Sequence, residues 1–210
     1  MKSEALRVQG LYVITGAYRD TPDLSRQVRA ALRGGVRTVQ YRDKNQNAAT
    51  RLEAARAVAA VCREFGARFI VNDDVALAAT SGADGVHLGR HDASVKSARA
   101  ALGAGALIGV SCYNEFERAV AAQAQGADYI AFGSFYASTT KPNAVGADVA
   151  LLSRARAALK INIVAIGGVT ASNARALIEA GADAVAVCDD VFGRADIESA
   201  ARAYAHLFTR

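Results

Sequence analysis

The stretch Gly181-Ala182-Asp183-Ala184-Val185-Ala186-Val187 decides the predicted fold, because its pattern recurs along the chain. Gly-Ala-Asp also occupies 82–84 and 126–128, each time directly before a short apolar run, and Gly34-Gly35 and Gly66-Ala67 stand at the same place. A glycine there suits the left-handed residue that ends a helix. Each site therefore predicts a turn from a helix into a strand.

Eight short apolar runs predict eight strands, and Ala-rich segments with helical periodicity separate them. The predicted strands are Leu11–Thr15, Thr38–Tyr41, Arg68–Val71, Gly85–Leu88, Leu107–Ser111, Tyr129–Phe132, Ile163–Ile166 and Ala184–Val187. Helices are predicted at Leu24–Arg33, Ala48–Phe65, Glu115–Gln125 and Asp148–Lys160. The runs are apolar throughout, as in parallel strands covered on both faces. Eight such units predict an α/β fold, a single-domain TIM (β/α)8 barrel over residues 1–210, with an open doubly wound sheet as the alternative.

The composition excludes several classes of protein. An apolar share of 52% with 21% charged residues excludes a disordered chain, and no apolar run reaches the roughly 18 residues of a membrane-spanning helix. The segment 1–10 has no apolar signal region, so we expect a cytoplasmic location. The three cysteines form no C-x-x-C pattern, which predicts reduced thiols rather than disulfides or a zinc site.

The formal net charge of +5 raises the question of a nucleic-acid partner. Arginines such as Arg26, Arg29 and Arg33 fall at helical spacing rather than in a run. This pattern predicts solvated helix faces, so we expect neither a nucleic-acid nor a membrane partner. A small anionic ligand and a homo-oligomer both stay open.

Polar residues collect after the predicted strands, where the active site of a parallel barrel lies. They comprise Gln40, Tyr41, Arg42, Asp43 and Lys44 after the second strand, Asn72, Asp73 and Asp74 after the third, Asp92 beyond the fourth, Ser111 on the fifth, Ser138, Thr139, Thr140 and Lys141 after the sixth, Gly167 and Gly168 after the seventh, and Cys188, Asp189 and Asp190 after the eighth. We expect these groups to converge on one mouth.

Each part of this set has a functional and a structural interpretation. Asp73 and Asp92 are hard oxygen donors suited to Mg²⁺; the alternative is that Asp73 or Asp74, and Asp92, cap the helices after them. The cations and hydroxyls suit a diphosphate, although each alone is typical of an exposed loop. Gly168 with the segment 188–190 suits a phosphate bound by backbone N–H groups, or an ordinary turn. The two aspartates of that segment must turn away from such a phosphate. His87 is predicted to be a hydrogen-bonded core or wall residue rather than a general base.

The spaced motifs together resemble the thiamine-phosphate synthase family over nearly the whole chain. They are Gln40-x-Arg42-x-Lys44, Phe69-Ile70-Val71-Asn72-Asp73, Gly85-Val86-His87-Leu88-Gly89 with Asp92, Ile108-Gly109-Val110-Ser111, the loop 133–141, and Ile166-Gly167-Gly168-Val169 with Asn173-Ala174.

The resemblance implies that a pyrimidinylmethyl diphosphate is joined to a thiazole phosphate, giving thiamine phosphate and diphosphate. It implies that Gln40, Tyr41, Arg42, Asp43, Lys44, Asn72, Ser111 and Lys141 bind the pyrimidine diphosphate, with Arg42, Lys44, Ser111 and Lys141 catalytic, that Asp73 and Asp92 ligate Mg²⁺, and that Ser138, Thr139, Thr140, Gly168, Cys188 and Asp189 meet the thiazole phosphate. In such a reaction the diphosphate leaves first, and the thiazole nitrogen attacks the resulting cation. Aromatic residues, namely Tyr12, Phe135 and Tyr136, would help to exclude water.

The chain departs from the family pattern at several positions. Tyr113 replaces a histidine, Ser134 and Ala137 replace prolines, Ser138 replaces a frequent threonine, and Cys188-Asp189 replaces Ile-Ser. These departures concern the thiazole phosphate side rather than the diphosphate residues. A thiazole tautomerase, which uses that histidine, and a non-catalytic phosphate-binding barrel are the alternative functions.

Overall fold

The computed structural model describes residues 7–137 and 145–208. The strands are β1 Gly10–Ile14, β2 Thr38–Tyr41, β3 Arg68–Asn72, β4 Gly85–Leu88, β5 Leu107–Tyr113, β6 Tyr129–Phe132, β7 Asn162–Ile166 and β8 Ala184–Val187. The helices are α1 Thr21–Arg33, α2 Ala48–Glu64, α3 Val75–Ser81, α4 Val95–Leu102, α5 Phe116–Ala124, α6 Ala150–Ala158, α7 Ala174–Glu179, α8 Asp189–Phe192 and α9 Ile197–Arg202, followed by a 3₁₀ turn at Ala205–Leu207.

The eight strands form a closed barrel in sequence order, and every neighbouring pair is parallel. Closure occurs between the first and last strands, where Gly10 pairs with Ala184 and Leu11 with Val185. The TIM barrel is thereby confirmed, and the alternative of an open doubly wound sheet is wrong. Among the residues that the structure describes, no helix is long and apolar enough to cross a membrane.

Alternate residues of each strand contribute to two separate cores, which explains why the strands read as continuous apolar runs. Side chains such as Tyr12, Ile70 and Tyr129 pack together inside the barrel. Their strand neighbours, such as Val13 and Phe69, pack outward against the helices. Because the inner side chains fill the barrel, ligands can bind only at its ends.

The Gly-Ala-Asp triplets form the predicted turns. Gly82, Gly126 and Gly181 have φ of 79°, 91° and 118°, a left-handed backbone that a side chain would strain. The aspartate of each triplet adds a contact that the sequence did not reveal. The carboxylate of Asp128, for example, accepts a hydrogen bond from the Ile108 backbone N–H at 2.8 Å. Each triplet thus fastens its own turn to the preceding strand.

The ends of several elements differ from the prediction for local reasons. Helix α1 begins at Thr21 rather than Leu24, because Asp20 caps it by accepting a hydrogen bond from Asp23 N and Pro22 suits a first helical turn. Strand β5 continues past Ser111 to Tyr113, through a register shift against β6. That extension brings Tyr113 to the rim of the barrel.

Candidate active site

Asp73 and Asp92 meet at the carboxyl end of the barrel. Their side chains share a hydrogen bond, and Lys44 Nζ lies 2.9 Å from Asp73 Oδ2. Asn72, the last residue of β3, also hydrogen-bonds the Asp73 carboxyl, and the Gly89 backbone N–H donates to Asp92 Oδ2 at 2.6 Å. Loops after β2, β3 and β4 therefore bring one cation and two carboxyls together, as the sequence predicted.

Burial and hydrogen bonding shift the pKa values of the two carboxyls in opposite directions. Burial acts to raise the pKa of Asp73, but hydrogen bonds with Lys44 and Asp92 outweigh it, so the pKa is lowered. The pKa of Asp92 is raised by burial and by the neighbouring charge of Asp73. Opposite shifts of this kind indicate that the two carboxyls interact closely with each other.

The alternative that these aspartates cap helices is correct only for Asp74. That side chain caps α3 by accepting a hydrogen bond from Leu77 N at 2.9 Å. Helix α4 is instead capped by Ser94. Asp73 itself has a φ of 64°, an unusual conformation for a residue with a side chain, and caps no helix. The carboxyls of Asp73 and Asp92 thus remain available to a ligand.

The loop after β2 carries Arg42 half-buried and Lys44 exposed. The Arg42 backbone N–H donates to Thr15 Oγ1 at 3.0 Å, and the guanidinium is close enough to Cys188 to lower that thiol's pKa slightly against a larger effect of burial. Tyr41, the last residue of β2, and Asp43 both interact with the Tyr18 hydroxyl. Asp43 also accepts hydrogen bonds from two backbone N–H groups of its own loop. Their contacts shape the loop that presents the cations.

Gln40 and Ser111 face the interior end of the mouth. Gln40 is 3% exposed and donates from Nε2 to the Tyr12 hydroxyl at 2.6 Å. Ser111 Oγ lies 2.9 Å from His87 Nε2, while His87 Nδ1 lies 3.1 Å from the Tyr129 hydroxyl. The prediction that His87 is a hydrogen-bonded core or wall residue is confirmed.

The loops after β6 and β7 pack tightly against each other. A Cβ at Gly167 would overlap Ser134, and one at Gly168 would overlap the backbone at Ala137, so both positions require glycine. Asn173 Nδ2 donates to Gly168 O at 3.0 Å and holds the β7 loop. Ser138, Thr139, Thr140 and Lys141 lie outside the described residues.

The aspartates after β8 adopt different arrangements. Asp190 accepts hydrogen bonds from Arg194, Tyr204 and the Ala171 backbone N–H. Asp189 is exposed and hydrogen-bonds Cys188. Burial raises the pKa of the Cys188 thiol to about 12, as it does for Cys112. A raised pKa disfavours the thiolate, so neither cysteine is an activated nucleophile.

Arg118 is a residue of this region that sequence reasoning missed. Its Nε donates to Ser111 O at 2.7 Å, and one of its terminal nitrogens donates to Gly89 O at 3.3 Å. The guanidiniums of Arg118 and Arg90 both lie over the Tyr113 ring, at 5.9 and 4.9 Å from its centroid. Tyr113 thus forms part of a packed cluster that joins the ends of β4 and β5.

The chemistry of the donor set fits Mg²⁺. Two carboxyls within hydrogen-bonding distance of each other are hard oxygen ligands, and Mg²⁺ commonly takes one or two carboxylates with substrate phosphates and water. Over residues 7–137 and 145–208 no group of three or more His, Cys, Asp or Glu could hold a metal ion. The two aspartates would therefore leave most of a coordination shell to substrate oxygens and water.

Comparisons with known proteins agree with this geometry. The family model for thiamine monophosphate synthase matches residues 11–191. Thiamine-phosphate synthase of Thiobacillus denitrificans is 53% identical over 199 residues, covering 95% of this chain and 94% of the relative, and that of Aromatoleum aromaticum is 52% identical over 202 residues, covering 96% and 97%.

Solved structures give the same result. Thiamine phosphate pyrophosphorylase from Pyrococcus furiosus superposes with a TM-score of 0.84 at 33% identity, covering 97% of this chain and 96% of that one. Orotidine 5′-phosphate decarboxylase from Pyrococcus horikoshii, at 15% identity and a TM-score of 0.68, shares the fold alone. The resemblance seen in the strand-end motifs is confirmed, and the chain belongs to the thiamine-phosphate synthase family, transferases of thiamine biosynthesis.

Proposed function

We propose that the barrel mouth joins 4-amino-5-hydroxymethyl-2-methylpyrimidine diphosphate to 4-methyl-5-(2-phosphoethyl)thiazole, to give thiamine phosphate and diphosphate. The carboxylated form of the thiazole would give the same products with loss of its carboxylate as CO2. The observation that carries the proposal is the contact of Asp73 and Asp92 beside Lys44, with Ser111 on the same barrel end. This arrangement suits a polyanionic leaving group better than an acid–base reaction.

The pyrimidine diphosphate would bind between the ends of β2, β3 and β5. Gln40 and Asn72 offer amide groups to the edge of the pyrimidine ring. Arg42, Lys44, Lys141 and Ser111 offer charge and hydrogen-bond donors to the diphosphate. Tyr41 and Asp43 would act by holding the loop, since both contact Tyr18 rather than face the mouth.

Asp73 and Asp92 would hold Mg²⁺ together with diphosphate oxygens. When bound, the ion would supply positive charge to the developing negative charge of the leaving group. Lys44 pairs with Asp73, so it would lie close enough to turn toward the diphosphate once that carboxylate held the ion. The same lysine would then neutralise the leaving group.

The reaction would proceed by cleavage of the carbon–oxygen bond to diphosphate, both electrons leaving with the oxygen. The thiazole nitrogen then gives its lone pair to the pyrimidinylmethyl cation and forms the new carbon–nitrogen bond. Positioning and charge neutralisation are the main requirements, and a general base is not. Half-buried Phe135 and Tyr136 would cover the mouth, whereas Tyr12 is 1% exposed inside the barrel and lies below it.

The thiazole phosphate would bind on the β6–β8 side. We assign its phosphate to Ser138, Thr139, Thr140, Gly168, Cys188 and Asp189. The close packing at Gly168 keeps the backbone of the β7 loop near this side, and the Asp190 carboxylate is already engaged by Arg194 and Tyr204; both observations support the assignment. The Asp189 side chain would have to turn away from the phosphate, so that only the backbone of this residue faces it.

Diphosphate release in the presence of both substrates and Mg²⁺ tests the proposal. We expect release that depends on both substrates, with thiamine phosphate as the second product. A tautomerase would need no pyrimidine diphosphate, and Tyr113 stands where it would need histidine. A non-catalytic phosphate-binding barrel would release no diphosphate at all, and either result would overturn the proposal.

A further inference from the structure

A line of hydrogen-bonded side chains crosses the barrel interior from β2 to β5. Gln40 Nε2 lies 2.6 Å from Tyr12 OH, which lies 3.0 Å from Tyr129 OH. Tyr129 OH lies 3.1 Å from His87 Nδ1, and His87 Nε2 lies 2.9 Å from Ser111 Oγ. These five side chains come from five different strands. The line connects two of the residues to which the proposed function assigns the pyrimidine diphosphate.

We propose that Tyr12, Tyr129 and His87 are positioning residues that orient the Ser111 hydroxyl as a hydrogen-bond donor toward the barrel mouth. The inference rests on the proposed function, since it takes a diphosphate oxygen as the acceptor.

The direction of the hydrogen bonds along this line follows from the donor at its first hydrogen bond. The Gln40 amide nitrogen can only donate, so the Tyr12 oxygen accepts. Tyr12 carries one proton of its own, and Tyr129 is its other hydrogen-bond partner. If Tyr129 donated to Tyr12 instead, the Tyr12 proton would have no acceptor at a position that is 1% exposed, which is costly. Tyr12 therefore donates to Tyr129.

The remaining hydrogen bonds follow from this direction. We take Tyr129 to donate its single proton to His87 Nδ1, its other hydrogen-bond partner, which makes this nitrogen the acceptor and places an imidazole proton on Nε2. The Nε2–H group then donates a hydrogen bond to Ser111 Oγ. Because Ser111 accepts a hydrogen bond from His87, its own hydroxyl proton is directed away from His87. That proton would then be donated to a diphosphate oxygen in the barrel mouth. A donor fixed in this way needs no reorganisation when negative charge develops on the leaving group.

Packing holds Tyr129 at the centre of this line of side chains. A Cβ at position 109 would overlap its ring, so Gly109 on β5 makes the space that the ring fills. The ring stacks on His87 with centroids 5.5 Å apart and meets Tyr12 edge-on at 6.1 Å. The hydroxyl is consequently fixed between its two partners.

Steady-state kinetics of Tyr129→Phe test the inference, because this change removes the hydroxyl and keeps the ring. We expect kcat/KM for the pyrimidine diphosphate to fall about tenfold, less than the roughly 100-fold typical of removing a direct donor such as Ser111. KM for the thiazole phosphate should not change. Tyr12→Phe breaks the chain one link earlier and should give the same pattern, so it replaces Tyr129→Phe if that variant does not fold.

Two changes at His87 separate orientation from simple space filling. His87→Gln places an amide nitrogen near the former Nε2 and retains donation to Ser111. His87→Asn places its amide near the former Nδ1 and loses that donation. We expect the glutamine variant to retain several-fold more kcat/KM than the asparagine variant. Ser81→Ala is the control, because it removes another buried hydroxyl, on α3 and away from the barrel interior.

A double-mutant cycle with Ser111→Ala tests whether Tyr129 acts through the Ser111 hydroxyl. In the Ser111→Ala background, Tyr129→Phe should have no further effect on kcat/KM. An equal loss in both backgrounds would overturn the inference while leaving the role of Ser111 intact. If Ser111→Ala alone left turnover unchanged, the assignment of Ser111 to the diphosphate would fail, and the inference with it.

Discussion

The hydrogen bond between Asp73 and Asp92 is the contact on which the proposed metal site depends. Asp73→Asn keeps the shape of the side chain but removes the charge that pairs with Lys44. We expect kcat/KM to fall roughly 100-fold and the Mg²⁺ concentration for half-maximal activity to rise, because a neutral amide is a poorer ligand. A Mg²⁺ titration of diphosphate release measures both effects.

The neighbouring Asp74 provides a matched control for that experiment. Its carboxylate caps α3, and asparagine caps helices about as well as aspartate. Asp74→Asn should therefore keep the Mg²⁺ dependence of the unmodified chain. The same Mg²⁺ dependence in both variants would exclude Asp73 as a ligand.

Lys141 is the cation assigned to the leaving group by the family resemblance. Lys141→Ala should lower kcat roughly 100-fold while KM for the thiazole phosphate stays within about twofold, since its contact would strengthen as diphosphate departs. The exposed Lys160, at the end of α6, is the control, and Lys160→Ala should leave both constants unchanged. A rise in KM for the thiazole phosphate at constant kcat would place Lys141 at the other substrate.

The sequence predicted which residues stand at the strand ends, but not which of them are joined. Asp73, Asp92 and Lys44 could be identified because each follows a predicted strand, and parallel strands end on one side. The partnership of Tyr129 with His87 could not, since it depends on the stagger of strands across a closed barrel. The one signal was Gly109, a glycine inside a strand where a backbone or ring must come close.

At the scale of elements, the Gly-Ala-Asp turns explain both the repeat and the positions of three arginines. Each aspartate accepts a hydrogen bond from a backbone N–H of the preceding strand and pairs with an arginine. The backbone donors are Phe69, Ile108 and Ile163, and the ion pairs are Arg68–Asp84, Arg99–Asp128 and Arg156–Asp183. The glycine could be interpreted from sequence, but the partners of each aspartate lie on other strands and helices, so they could be identified only from the structure.

Two of these aspartates should differ in their contribution to stability. The Asp128 side chain is 3% exposed and lies 2.6 Å from Arg99, whereas that of Asp84 is 40% exposed and lies 3.7 Å from Arg68. We expect Asp128→Ala to lower the free energy of unfolding by about 3 kcal/mol and Asp84→Ala by about 1 kcal/mol. Urea denaturation of both variants measures the difference, and equal losses would contradict the role of burial.

At the scale of the whole molecule, the positive charge is distributed among ion pairs of the helical layer. Arg29 pairs with Glu64, and Arg154 pairs with Glu117. This use of arginine agrees with the predicted solvated helix faces. The barrel itself closes where β8 meets β1, and the segment after β8 is fastened by Asp190 to Arg194 and Tyr204. Barrel closure and the C-terminal helices are thereby linked through one carboxylate.

That carboxylate makes the stability of the fold depend on pH in a defined direction. Burial acts to raise the pKa of Asp190, but hydrogen bonds from Arg194 and Tyr204 outweigh it and lower the pKa. A carboxyl whose pKa is lower in the folded state stabilises the fold above its unfolded pKa of about 3.9. The contribution is lost as the pH falls through the lower, folded value.

Asp190→Asn should accordingly lower the free energy of unfolding by about 1 kcal/mol at pH 7 and pH 5, because the amide cannot accept charge-assisted hydrogen bonds. Below about pH 4 the difference from the unmodified chain should shrink, since its own carboxyl then becomes protonated. Urea denaturation at pH 7, 5 and 3.5 measures this, with Glu179→Gln as the control, because that carboxyl is 68% exposed and lies 4.0 Å from Arg175. A difference that stayed constant down to pH 3.5 would mean either that Asp190 acts through packing rather than charge or that its folded pKa lies below that range. A further measurement at pH 2.5 would distinguish the two, since only the charge-dependent contribution disappears there.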